Sequence, residues 1–262
     1  MSSGRTLNIL VAGGSSPSGI AVARALRGAG HTVFTVGSDA ARIHAAAADA
    51  GSGVVPLTCD LADPAAVRDL HAELTARAGH IDGVIHLVGG WRGAKGITDQ
   101  SDEDWEYLER NAVTTLRNVS RTFYDELAAS DTGRLAIVSS SAVASPTAGG
   151  ASYVAAKAAA EAWTLAVADG FRRDQARKSG NPTDAANAAN PAASGTAAGP
   201  EQQHSAAVVF VVKALVDPAM RAASPERKFP GFTDVEELAA AAVELFRTPA
   251  AELNGRRLPL NR

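Results

Sequence analysis

The sequence predicts an alternating α/β fold built on a doubly wound parallel sheet of about seven strands. Three observations carry that expectation. Seven short apolar runs recur along the chain, the stretches between them carry helix-start signals, and the first run opens into a glycine-rich turn. With 262 residues, 46% of them hydrophobic, one domain over residues 1–262 has enough chain for a full core.

The first run, Leu7–Ala12, is apolar throughout and stops at Gly13, as a strand covered on both faces does. It leads into Gly13-Gly14-Ser15-Ser16-Pro17-Ser18-Gly19-Ile20, and a helix is expected through about Arg27. A glycine turn at this place lets backbone approach a pyrophosphate, and the helix N-terminus adds free N–H groups and partial positive charge. A tight strand-to-helix turn without a ligand is the alternative reading.

Further strands are expected at Thr32–Val36, Gly53–Leu57 and Gly83–Val88. Between the last two, Asp63-Pro64 joins an N-cap to a proline at the first helical position. Ser101-Asp102-Glu103-Asp104 resembles a capping box, and Thr233-Asp234-Val235-Glu236 has its full pattern. Leu135–Ser139, Ala207–Val212 and Arg257–Leu260 complete the strands, with Asn254-Gly255 as the turn into the last. One segment breaks the alternation. The 32 residues from Asp174 to Ser205 contain no Val, Ile, Leu, Met or aromatic residue, so a mobile surface insertion is expected over 174–205.

Twenty-five basic residues against 28 acidic ones give a formal charge of −3, without the basic field that nucleic acid demands. No apolar run approaches the roughly 20 residues of a membrane span. The single cysteine, Cys59, has no intrachain partner for a disulfide, and a cytoplasmic protein is the expectation. No metal is expected.

The chemistry lies further along. Tyr153-Val154-Ala155-Ala156-Lys157 opens a helix, and its i, i+4 spacing puts a phenol and an ammonium on one face. A cation so placed lowers a tyrosine pKa and makes the phenol a usable proton donor or acceptor. Tyr153 follows Ser140, in Ser139-Ser140-Ser141, by 13 residues. Asn111 falls inside a predicted long helix, where Asn is a poor helix former. Any one of these is weak, and the ordered set is specific.

That set resembles the short-chain dehydrogenase/reductase family over nearly the whole chain apart from the insertion. The resemblance implies a Rossmann-type sheet and hydride transfer between NAD(P) and a carbonyl or alcohol. It implies Tyr153 as acid/base, Lys157 holding the nicotinamide ribose and lowering the Tyr153 pKa, Ser140 fixing the substrate oxygen, and Asn111 anchoring a water of the proton relay. It also implies cofactor contacts at Gly13, Ser15, Ser16, Ser18, Gly19, Ile20, Ser38, Asp60, Leu61, Gly89 and Val216. Pairing through the helices that carry Asn111 and Tyr153 is implied too, giving a homodimer or homotetramer.

The chain departs from the family pattern at four places. Pro17 replaces the middle glycine of the turn, and His86-Leu87-Val88-Gly89 stands where Asn-Asn-Ala-Gly is usual. Lys213-Ala214 stands for Pro-Gly, and the fourth departure is the insertion. His86 reads as a core histidine bonded to backbone. The second strand ends at Gly37-Ser38 with no acid to bond a ribose and Arg42 a turn away, which favours NADP, whereas Asp39 argues for NAD, the alternative. Trp91, Met220, Phe229 and Phe232 are candidate apolar walls of the substrate pocket. A non-catalytic nucleotide-binding regulatory protein on the same fold is the competing reading.

Overall fold

The computed structural model describes residues 5–178 and 203–260. The chain alternates through β1 (Asn8–Ala12), α1 (Pro17–Gly28), β2 (Thr32–Gly37), α2 (Ala40–Ala50), β3 (Val54–Thr58), α3 (Pro64–Ala78) and β4 (Gly83–His86). It continues with α4 (Asp102–Glu109), α5 (Thr115–Ala129), β5 (Arg134–Ser140), α6 (Ala151–Lys178) and β6 (Ala206–Val212). A short excursion follows, made of β7 (Leu215–Val216), α7 (Pro218–Ala223) and β8 (Thr233–Asp234). Then come α8 (Val235–Glu244), α9 (Ala250–Leu253) and β9 (Arg257–Pro259). All seven expected strands form, and they make one parallel sheet in the order β3-β2-β1-β4-β5-β6-β9. This is the doubly wound, Rossmann-type fold.

Alternation along each strand fills both faces. Leu10 and Ala12 of β1 point to a core with Leu70, Phe123 and Phe171, under α3, α5 and α6. Ile9 and Val11 point the other way, to Val22, Leu26 and Leu238 under α1 and α8. Fully burying a side chain of this size stabilises by roughly 1.5–3 kcal/mol. The register aligns Ala12 with Val36 and His86, and Ser140 with Val212, so the carboxyl ends of these strands share one edge. Strand order reverses between β1 and β4, and a crevice opens at such a switch point.

The opposite edge is fastened by polar groups. Asp82, almost fully buried, accepts from the Asn8 N–H at 2.9 Å and from Ser130 Oγ at 2.7 Å. Arg134, equally buried, donates to the carbonyls of Gly133, His204, Leu245 and Thr248 at 2.8–2.9 Å.

Three expectations are corrected. The expected insertion begins too early and ends too late, because Asp174–Lys178 is the last turn of α6. Its Gln175 donates to Ser205 Oγ at 2.7 Å and accepts from the His204 N–H at 3.0 Å, so a polar network replaces apolar burial there. The rest of the expected insertion, residues 179–202, lies outside the described residues. The capping box at Thr233 does not form, since Thr233 is buried in β8 and Asp234 takes the cap position, with its carboxylate 2.9 Å from Arg221. The predicted long helix around Asn111 is interrupted by one π-helical turn, Arg110–Thr114, between α4 and α5.

Candidate active site

Two cavities line the carboxyl edge of the sheet and share the residues Leu87, Val88 and Gly89 that follow β4. The first, about 470 Å³, has the β1–α1 turn, the end of β2 and Asp60 in its walls. The second, about 890 Å³, lies over the end of β5, the start of α6 and the β7–β8 excursion.

Sequence dictates the turn. Gly13 adopts φ +82°, and a Cβ there would lie 3.0 Å from the Leu87 backbone. At Gly19 a Cβ would lie 2.5 Å from Gly13 O, so α1 enters tight against the turn. Ser16 is the N-cap, accepting from the Gly19 N–H at 3.0 Å, and Pro17 takes the first helical position. The N–H groups of Gly13 and Gly14 both donate to Val36 O, and that of Ser16 donates to Gly13 O. Pro17 has none and the Ser16 hydroxyl donates to Gly13 O at 2.9 Å, so much of the turn's donor capacity is used internally and the hydroxyls of Ser15 and Ser18 gain weight.

At the far end of this cavity Ser38 and Arg42 face the same space. Asp39 caps α2, accepting from the Arg42 N–H at 2.8 Å, and its other carboxylate oxygen stands 3.4 Å from Arg42 Nε. Asp60 accepts from the Ala62 N–H and pairs with Arg110 at 2.6 Å. Cys59 is buried in the wall, its thiol pushed up to about 11 by burial and by the carboxylates of Asp60, Asp63 and Asp69.

Ser140, Tyr153 and Lys157 all line the second cavity, brought together by the end of β5 and the first turns of α6. Burial raises the Tyr153 hydroxyl above its ordinary value, and a hydrogen bond with Ser140 works against that rise. The expectation that Lys157 lowers the Tyr153 pKa is not met here. The ammonium donates instead to Val138 O at 2.9 Å, and burial pushes its own pKa down to about 8. Gly89 sits beside it, since a Cβ there would meet Lys157 Nζ at 3.3 Å.

Asn111 lines the first cavity from the π-helical turn, its Nδ2 donating to Tyr107 O at 2.8 Å. The Thr115 hydroxyl donates to Asn111 O at 2.6 Å and lies 3.1 Å from His86 Nε2. His86 is therefore a core residue with a backbone hydrogen bond, as expected, and a threonine hydroxyl is a second partner. Burial first, and the Lys157 charge second, push its pKa down to about 3, so it is neutral at pH 7.

Most expected site residues border one of the two cavities: Gly13, Ser15, Ser16, Ser38, Asp60, Leu61, Gly89 and Asn111 the first, and Ser18, Ser140, Tyr153 and Lys157 the second. Gly19, Ile20 and Val216 border neither. Gly19 packs against the turn, Ile20 packs on the core under α1, and Val216 is fully buried in β7. Of the expected walls, Trp91, Met220 and Phe232 line the second cavity, whereas Phe229 lies against Phe232 in an edge-on ring contact. Arg227, inside the stretch 220–232 expected to flank the pocket but not singled out by the sequence, also lines the second cavity.

A family model described as short chain dehydrogenase matches residues 7–179. The chain belongs to the short chain dehydrogenase family. Among curated proteins it is 27% identical over 157 residues to one from Salmonella typhi named NADP-dependent 3-hydroxy acid dehydrogenase YdfG. That match covers 60% of this chain and 63% of the relative, so it spans less than two thirds of the relative's length. Among solved structures it is similar to a short chain dehydrogenase from Shigella flexneri 2a complexed with NADP, at TM-score 0.75 and 18% identity over 97% of this chain and 96% of that one. It is also similar to an NAD+-bound xylitol dehydrogenase, at TM-score 0.73 and 17% identity over 97% of each chain. At these identities the structural likeness shows the fold alone. No helix among the described residues is long and apolar enough to cross a membrane.

Proposed function

We propose that the protein is a nicotinamide-dependent oxidoreductase that reduces a carbonyl compound, or oxidises the matching alcohol, with NADP(H) preferred over NAD(H). The observation that carries this is the convergence of Ser140, Tyr153 and Lys157 on one cavity that shares Leu87–Gly89 with the cavity at the glycine turn. The fit of the cofactor rests on the adjacency of the two cavities and on the close backbone approach at Gly13 and Gly19. Gly13, Ser15, Ser16, Ser18, Asp60 and Leu61 would hold its adenosine and phosphate parts, and Tyr153, Lys157 and Gly89 its nicotinamide end. When bound, it supplies or accepts the hydride.

The chain's own part is proton management and positioning. Tyr153, held protonated by burial, gives its proton from Oη to the carbonyl oxygen as charge develops there. The Ser140 hydroxyl donates to the same oxygen and fixes its position. Lys157 keeps a positive charge beside the reacting centre, and Asn111 holds the far end of the relay. The NADP preference rests on Ser38 and Arg42 in the first cavity, with no carboxylate at the end of β2.

Assembly into a homodimer or homotetramer follows the same reading. The outer faces of α5 and α6 carry a hollow lined by Tyr124, Trp163 and Val167, with Leu165 exposed in the same helix. A second copy of this chain would cover it, and sedimentation velocity at micromolar concentration tests that.

One observation favours the non-catalytic reading, namely the internal use of the turn's N–H groups. The decisive comparison is wild type against Tyr153→Phe. An enzyme loses on the order of 10²–10⁴-fold in turnover while NADPH affinity stays within a few-fold. A protein that binds NADPH but turns over no carbonyl in either form is the regulatory alternative.

A further inference from the structure

We infer that the carbonyl substrate carries an anionic group, a carboxylate or a phosphate, which Lys213 and Arg227 hold at the rim of the second cavity. This rests on the oxidoreductase reading above and adds the substrate class to it. Three cations, Lys157, Lys213 and Arg227, line that cavity, and among the described residues no Asp or Glu does. Lys157 is engaged with Val138 O and sits at the reacting centre. The other two are exposed residues of the β7–β8 excursion and the segment leading into it, beyond residue 179 where the family match ends.

Two nearby arginines are neutralised by carboxylates, and this pair is not. Arg92 stands 3.4 Å from Asp104 and Arg221 stands 2.9 Å from Asp234. Among the described residues neither Lys213 nor Arg227 has a carboxylate within ion-pair distance. Instead both lean on one aromatic ring, Phe232, at 6.0 Å for Lys213 Nζ and 5.7 Å for the Arg227 guanidinium. Arg227 also lies 4.8 Å from the Phe229 ring, and Lys213 donates to Pro230 O at 3.0 Å. These contacts place two like charges around one ring on the lining of one cavity, an arrangement that an incoming anion stabilises. The same cavity is also lined by Trp91, Leu215, Met220 and Phe232. The cavity therefore fits a molecule with an apolar body and an anionic end, its carbonyl at Tyr153.

The competing occupant is the cofactor's own pyrophosphate, because Ser18 of the glycine turn lines the same cavity. Calorimetric titration separates the two. The full chain, alone and saturated with NADP+, is titrated with hexanoate, hexyl phosphate and hexanamide. At least one anion is expected to bind tenfold or more tightly than the amide, with the better of the two identifying the anion class. Arg227→Gln and Lys213→Gln should each lose several-fold of that preference, and Arg227→Lys should keep part of it. Equal binding of anions and amide, no detectable anion binding, or a preference that survives in Lys213→Gln/Arg227→Gln overturns the inference. So does a parallel loss of NADPH affinity in these variants, which would assign the cations to the cofactor. Anion selection by a protein that fails to bind NADPH would instead remove the oxidoreductase reading and leave the anion site in place.

Discussion

The ammonium of Lys157 donates to the backbone oxygen of Val138 across 2.9 Å and so ties the second turn of α6 to the end of β5. The bond fixes a cation beside Tyr153 and Ser140, in surroundings that disfavour its charge.

Burial holds the Lys157 pKa at about 8, below its ordinary value. The ammonium therefore loses its proton as pH rises through about 8, and kcat/KM for carbonyl reduction should fall on that alkaline side. Lys157→Arg keeps the charge to far higher pH, so whatever activity it retains should show the falling limb displaced upward. A wild-type profile flat from pH 7 to 9.5 would count against a catalytic charge at this position.

His86 carries the opposite kind of prediction, about stability. Its folded pKa of about 3 lies below the ordinary value of 6.5, so the unfolded chain binds the extra proton between those values. Stability supplied by the neutral ring is complete above pH 6.5 and drains away as pH falls toward 3. At pH 5 the loss from this group is about 2 kcal/mol. Urea midpoints at pH 7 and pH 5 should differ more for wild type than for His86→Asn, and equal differences would refute the assignment.

Two glycines of α1 form an internal control. A Cβ at Gly19 would lie 2.5 Å from Gly13 O, whereas at Gly28 it would meet nothing within 4 Å. Gly19→Ala should destabilise by about 1–3 kcal/mol and weaken NADPH binding, since the turn itself must shift. Gly28→Ala should raise stability by up to about 1 kcal/mol and leave NADPH affinity alone. Thermal melts and fluorescence titrations of both variants read this directly.

Arg42 tests the cofactor preference. Its guanidinium lines the first cavity beside Ser38. Arg42→Ala should weaken NADPH about tenfold or more and change NADH affinity less than twofold. Equal losses for the two cofactors would show that Arg42 does not read a phosphate.

The strands were legible because a parallel sheet buried on both faces writes itself as apolar runs, and Leu7–Ala12 is such a run. Ser140, Tyr153 and Lys157 were legible because their spacing is local. His86 and Thr115 were not, since they stand 29 residues apart and meet only after β4 and α5 pack. The last turn of α6 was hidden for another reason. It lacks large apolar residues, and Gln175 holds it with amide hydrogen bonds that composition does not register. Lys213 and Arg227 converge through an excursion without periodicity, so nothing in the sequence pairs them.

Arg134 has a consequence for how the molecule breathes. One buried side chain staples carbonyls from residues 133, 204, 245 and 248 at the foot of the sheet, with no covalent link. The opposite rim, residues 91–100 and 217–232, is held by single contacts at the surface, such as Ala94 N–H on Gly149 O and Arg221 on Asp234. In deuterium exchange the amides of β4, β5 and β6 should be the last to turn over and those of the rim the first. The fold thus ties its buried polar bonds into one end of the strands and opens its cavities at the other.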